Sequence, residues 1–453
     1  MGAADGRDDT HSTSTGANTS AGPAEPVPTP APGVRPWARS LAICTFGSFT
    51  TIVGMTMLVP FLPVYIRQLG VQDPDAIVHW SAICFGATYL VAALVAPLWG
   101  MLGDRWGRKS MLVRAGLGMS IAIGLTGLAQ DVGQLLALRL LTGLLGGFAS
   151  GAMILVADLT PVARRAFAVG VLTSGVMAGN LAGPVLGGLL PPLVGPRVVF
   201  GWTGALIFTA FLAVVLGLPA DRPQRRPVAP DGPATPAAPS APAGPSDPPA
   251  APGPPGAQGE RAPARASAAI VLLLAIASLI TFASMSVEPF ITLLSAQLPG
   301  GQPAALWGGI ALSATAAGTM IAGPVLGRAA DAIGPRRVLA LSLAAAALCA
   351  SAQYLAHSAP ALVALRFALG LAVGGLAPAV TSALRALVPA ARVGRVLGLM
   401  VAAQHAGQVL GPLFGAWVAT AAGMREAFLA SGAVLALGAG LAALALRRRN
   451  QPS

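Results

Sequence analysis

The sequence predicts an all-α integral membrane protein built as two six-helix bundles related by pseudo-two-fold symmetry. Three observations carry this. The 453 residues are 55% apolar and only 10% charged, with a mean hydropathy of +0.71, whereas a soluble domain carries about 25% charged residues. Twelve apolar segments follow one another, each near the ~20 residues that cross a bilayer. The chain also repeats itself. Pro97, Gly100, Asp104, Gly107 and Lys109 recur as Pro324, Gly327, Asp331, Gly334 and Arg336, all at an offset of 227.

In chain order, residues 1–36 are polar and rich in Ser, Thr, Pro and Ala, which predicts a disordered tail. No short apolar core with a cleavage site opens it, so it does not read as a signal peptide. Spans are expected at about 38–66, 79–101, 110–129, 134–157, 166–190 and 198–219, forming a first bundle over 37–219. The segment 220–267 holds 14 prolines in 48 residues and predicts a semi-extended linker; a regulatory role for it is an open alternative. A second bundle is expected over 268–447, with spans at about 269–298, 304–327, 338–356, 361–384, 393–420 and 425–446. Residues 448–453 form a short tail.

Charge sets the expected orientation. The chain has 27 arginines, one lysine and 16 acids, a net charge of +12. Both tails, the linker and the loops near 105–114, 164–165, 328–337 and 385–395 hold 23 of the 28 basic residues. The opposite side holds Arg67, Arg197 and Arg425, while Arg139 and Arg366 fall inside spans. Positive loops stay in the cytoplasm, so both termini are expected there. Arginines spread over loops between apolar runs fit topology and anionic headgroups, not nucleic acid. Cys44, Cys84 and Cys349 lie in apolar runs, with neither disulfide nor metal spacing. Trp99, Trp106, Trp307 and Trp417 fall near span ends, where anchoring at the membrane interface is expected.

Between the second and third spans the chain reads GMLGDRWGRK, from Gly100 to Lys109. Four charges in six positions cannot sit in hydrocarbon, so this is an aqueous turn. Gly100, Leu102, Asp104, Arg105, Gly107, Arg108 and Lys109 resemble the signature loop of the major facilitator superfamily. The resemblance implies a secondary transporter with twelve helices in two halves and a substrate cavity between them. It also implies a cytoplasmic gating loop. Asp158, ending the fourth span, is expected to pair with Arg105 or Arg108, and Asp331 and Arg385 hold matching positions in the second half.

The fifth span reads GNLAGPVLGG over 179–188. Small residues four apart allow close helix approach, and Pro184 removes a backbone donor, so by itself the string reads as a close-packed helix pair. It is similar to the motif of the drug–proton antiporter branches of the superfamily, carried here by Gly179, Gly183, Pro184, Gly187 and Gly188, with a weaker copy at 407–416. The resemblance also links Arg139, in the fourth span, to proton transfer; the alternative is an arginine snorkelling to the outer surface. Thr142 stands where the family often has glutamine.

Proton coupling needs a titrating group in the transport path. Of the 16 acids, fifteen fall in tails, loops, the linker or at helix ends, and only Glu288 remains inside a span. The matching position in the first span is Val59, so packing of the repeat does not demand an acid. Glu288 is expected in the outer half of the cavity, with an acid at the outer interface as the alternative. His405 could shuttle a proton or simply bond within a helix packing. Asn180, Gln404 and Gln408 are expected on the cavity wall.

There is no phosphate-binding Gly-rich loop with its Lys-Ser/Thr, no catalytic set and no filter-like ring of charge. An enzyme, an ATP-driven pump and a channel are therefore disfavoured, and no cofactor or metal is expected. The expected function is export of small lipophilic molecules in exchange for protons, in a bacterial cytoplasmic membrane. The alternative is proton-coupled uptake of a sugar or organic acid. The expected partners are the small-molecule substrate, protons and membrane lipid, with the chain acting as a monomer.

Overall fold

A computed structural model describes residues 36–219, 262–299 and 303–447. The expected tails up to residue 35 and from 448, and linker residues 220–261, lie outside the described residues. Every regular element among those described is helical. In chain order the spans are α1 (Trp37–Gln68), α2 (Pro74–Trp106), α3 (Arg108–Thr126), α4 (Val132–Leu159), α5 (Val162–Val194) and α6 (Pro196–Gly217). The second half has α7 (Ser267–Gln297), α8 (Ala304–Ile333), α9 (Pro335–Leu355), α10 (Ala359–Arg385), α11 (Arg392–Ala421) and α12 (Glu426–Ala443).

Eleven of these are long and apolar enough to cross a membrane. The exception is α3, because Arg108, Lys109 and Arg114 occupy its first two turns; it is nonetheless a 19-residue helix packed into the first bundle. The α7 helix begins at Ala262, so the last residues of the expected linker are helical. Pro263 is tolerated there because the first turn needs no backbone donor.

The repeat is visible in the backbone. Short 3₁₀ segments interrupt α1 at Val59–Phe61 and α7 at Glu288–Phe290. Each contains a proline, Pro60 or Pro289, which cannot donate to the preceding turn. The α4 helix breaks at Gly146–Gly147 and α10 at Gly374–Gly375. The expected aqueous turn after α2 shrinks to one residue. Residues 100–106 remain helical, and Gly107 makes the reversal at φ +95°, matched by Gly334 at +93°, a region that residues with a Cβ rarely adopt.

Each bundle packs in the same order. Within the first, α1 lies on α5 and α6, α2 on α4, and α3 on α6. Within the second, α7 lies on α11 and α12, α8 on α10, and α9 on α12. The halves meet through α5 against α8 and through α2 against α11, two contacts exchanged by the pseudo-two-fold axis. One apolar core fills the first half and crosses into Phe290, Ile291, Leu294 and Leu312 of the second; a separate core fills the rest of the second half.

Candidate functional site

The crossing of that core marks where the halves close. The two 3₁₀ breaks face each other, and each leaves carbonyl oxygens without helical donors. Thr292 Oγ1 donates to the carbonyl oxygen of Pro60, across the halves. Ser313 Oγ donates to the carbonyl oxygen of Leu181 at 2.7 Å, also across them. Gly188 meets the backbone of Ala305 and Leu306, Gly309 meets the carbonyl of Pro184, and Gly86 meets that of Val409. All these approaches lie in the portion of the molecule towards Gln68 and Gln297. Towards the signature loop, Leu94 and Met101 on α2 and Ile321 and Val325 on α8 are exposed.

Glu288 sits on the α7 break at this closure. Its electrostatic neighbours are Arg366 of α10, in its own half, and Tyr89 of α2, across the interface. Arg366 is 2% exposed, and its Nε and Nη2 have no hydrogen-bond acceptor. The ring of Phe428 lies 5.8 Å from its guanidinium carbon.

Arg139 is also buried, at 4% exposure. That overturns the snorkelling alternative: the side chain turns inward and its Nη2 donates to Thr126 Oγ1 at 3.1 Å. Around it, Tyr65 Oη donates to the Thr126 carbonyl at 2.7 Å, and Thr88 Oγ1 donates to the Arg139 carbonyl at 3.2 Å. Arg139 lines a small cavity with Met55, Leu58, Phe85, Thr88 and Tyr89. Tyr89, a neighbour of Glu288, is thus part of the lining of this cavity. Arg139 is not among the electrostatic neighbours of Glu288; the arginine acting on Glu288 is Arg366.

The other expected wall residues do not join this cluster through side-chain bonds. Asn180 Nδ2 donates to the Val176 carbonyl of its own helix, and the half-buried His405 uses Nδ1 on that of Val401. The Gln404 carbonyl accepts from Thr281, and Gln408 is half-buried on α11. In the 179–188 string, Gly179, Gly183 and Gly187 lie against Phe49 to Met57 of α1, while Gly188 lies against α8. The string therefore serves both packing within a half and closure between halves.

At the opposite end, Arg108 bonds Asp104 within the loop at 2.6 Å. Asp158, Asp331, Arg105 and Arg385 are exposed, and Asp158 pairs with neither Arg105 nor Arg108 in this conformation. Lys109 Nζ donates to the Val215 and Leu218 carbonyls at 2.9 and 2.7 Å, capping the end of α6, where helical donors run out. Trp99, expected as an interface anchor, is half-buried near the end of α2. Its Nε1 donates to the Leu144 carbonyl, and the Arg114 guanidinium lies 3.6 Å from its ring. Arg114 Nη2 also donates to the Gly146 carbonyl at 3.0 Å, so the pair clamps the α4 break.

A family model described as the Major Facilitator Superfamily matches residues 44–309 and 273–453. The chain belongs to the Major Facilitator Superfamily. Within the superfamily it is similar to bacterial proteins named multidrug resistance protein MdtG. The one from Proteus mirabilis (strain HI4320) is 33% identical over 400 residues, 88% of this chain and 94% of that protein. The one from Enterobacter lignolyticus (strain SCF1) is 35% identical over 414 residues, 91% and 93%. The fold is shared with a crystal structure of a bacterial homologue of the human lysosomal transporter Spinster, inward-facing and unoccupied. That match has a TM-score of 0.71 at 18% identity and covers 93% of this chain and 99% of the other. The human organic anion transporter MFSD10 matches at a TM-score of 0.62 and 18% identity, over 90% and 100%. In this superfamily member, sequence reading missed Arg366 and Tyr89 as neighbours of Glu288. Arg366 was visible as the repeat mate of Arg139, at the offset of 227.

Proposed function

We propose that the protein exports small lipophilic compounds in exchange for protons, by alternating access in the bacterial cytoplasmic membrane. The observation that carries this is Glu288: the one acid away from the ends of the spans sits on a helix break, at the seam of the two halves, with Tyr89 of the other half as a neighbour. A carboxyl group there can load a proton in one state of the seam and release it in the other. The multidrug resistance names of relatives at 33% and 35% identity support efflux as the direction. A largely apolar wall accepts varied substrates, because few polar groups demand partners.

In this reading the structure is the state closed at the Pro60–Thr292 end, with the signature-loop end facing the cytoplasm, the side on which both termini also lie. In the alternate state that end closes, and Asp104, Arg108 and Asp158 form the latch. The chain works as a monomer. The test is efflux from energised membrane vesicles, using a lipophilic fluorescent dye as the probe. Efflux should collapse when a protonophore dissipates the gradient and should persist when ATP alone is depleted. Dependence on sodium, or on ATP with the proton gradient intact, would overturn the reading.

A further inference from the structure

Arg366 is the buried charge that the reading above leaves without a task. Two of its donors, Nε and Nη2, have no acceptor. These are the adjacent nitrogens along one edge of the guanidinium, the pair that grips a carboxylate with two parallel bonds. Buried polar groups in native structures are nearly always satisfied, so two orphan donors on one edge mark a place for a partner absent in this state.

The pseudo-symmetric half shows what an arginine at this position does when no acid is present. Arg139, 227 residues earlier, lines a cavity with Val59 where Arg366 has Glu288; its Nη2 is satisfied by Thr126 Oγ1, while its Nε, like that of Arg366, has no acceptor. The residue matching Thr126 is Gln353. It is buried, donates from Nε2 to the Cys349 carbonyl, and leaves its own Oε1 without a donor. The second half thus lacks the neutral acceptor bond that the first half uses, and it has a carboxyl group instead. Glu288 and Arg366 act on each other electrostatically, yet no hydrogen bond or ion pair joins them here.

We propose that Arg366 is the positioning residue of the proton-coupling carboxyl group: when Glu288 gives up its proton, the carboxylate is taken by the Nε–Nη2 edge of Arg366. The step balances simply. The O–H bond of Glu288 breaks, the proton passes to water, and the carboxylate keeps the electron pair and gains two charge-assisted hydrogen bonds. Reloading reverses it. Because Glu288 lies on the break that packs against α2 of the other half, its move towards α10 withdraws it from Tyr89 and loosens the seam. The groups facing Glu288 are Arg366 from α10 and Tyr89 from α2. The break in α1, packed on the same seam, is followed by Tyr65 and Arg67, with Tyr65 engaged by Thr126. On α11, His405 is ten residues before Gly415, which touches Ser286, about 15 Å along the helix.

This rests on Glu288 being the proton carrier, and the test separates the two. In full-length protein in liposomes, a carbodiimide that reacts with protonated carboxyl groups labels Glu288, and mass spectrometry reads its labelling against pH without any transport. In R366Q the midpoint should move to higher pH by about one unit or more, since an opposite charge within reach favours the ionised form. R366K should keep most of the wild-type midpoint. The pH profile of dye efflux should shift with the labelling. An unchanged midpoint in R366Q overturns the pairing and leaves Gln353 as the partner of Arg366. If E288Q still exchanges protons for dye, the function reading fails instead, whatever the labelling shows. If R366Q does not reach the membrane, the double variant E288Q/R366Q decides: restored folding supports the pair, and continued misfolding overturns it.

Discussion

A methyl group placed at Gly309 should tip the transporter out of the conformation described here. Gly309 of α8 faces the carbonyl of Pro184 and the Cα of Gly188 in α5, across the two halves. Both obstacles are backbone, so no rotamer change relieves Gly309→Ala. Overpacking of this kind costs about 1–3 kcal/mol. The contact exists only while this end is shut, so the cost falls on one state and shifts the two-state ratio by about 5–150-fold. Spin labels on cysteines replacing Phe167 and Ile333, 65% and 47% exposed on α5 and α8 at the signature-loop end, report that end by electron–electron distance measurement. The variant should populate a shorter distance than the parent. Gly187→Ala is the control. Its methyl group meets the Met57 carbonyl inside one half, so it should lower thermal stability without moving the distance distribution. If Gly309→Ala leaves the distribution unchanged while Gly187→Ala moves it, the seam assignment is wrong.

Three further outcomes are expected. Lys109→Met removes two bonds to the carbonyls ending α6; at about 1.5–3 kcal/mol for a charged hydrogen bond in good geometry, discounted for partial exposure, it should lower the melting temperature measurably in detergent. Arg139→Met removes a buried cation with a single side-chain acceptor and an unpaired Nε, so the lost bond is offset by the desolvation cost removed with the charge; melting should hold while proton-driven efflux falls. A single cysteine at Ser240, in a background lacking Cys44, Cys84 and Cys349, should resist an impermeant thiol reagent in intact cells, and labelling from outside would reverse the topology.

Much of the architecture was legible because membrane helices announce themselves. Backbone groups in lipid must be paired internally, so apolar length alone located the spans, and the repeat of Asp104 as Asp331 foretold two equivalent halves. The α3 span was harder for measures of apolarity because Arg108, Lys109 and Arg114 crowd its start. The breaks at Pro60 and Pro289 were not foreseen, since proline is common in membrane helices and often only kinks them. Glu288 emerged by elimination. Its partner did not, because an arginine on α10 and an acid on α7 carry no local pattern linking them; only the fold brings them together. Reading Arg139 and Arg366 as one position used twice would have raised the question, and Val59 against Glu288 would have answered it.

In the proposed cycle one carboxyl group at the seam couples protons to substrate. The most direct measurement is proton flux in liposomes holding the full-length protein and a pH-sensitive dye, when a lipophilic cation is added to one side. Wild-type protein should move protons opposite to the cation, and the Glu288→Gln protein, correctly folded and inserted, should move none. Equal proton flux from Glu288→Gln and wild-type protein would contradict the claim.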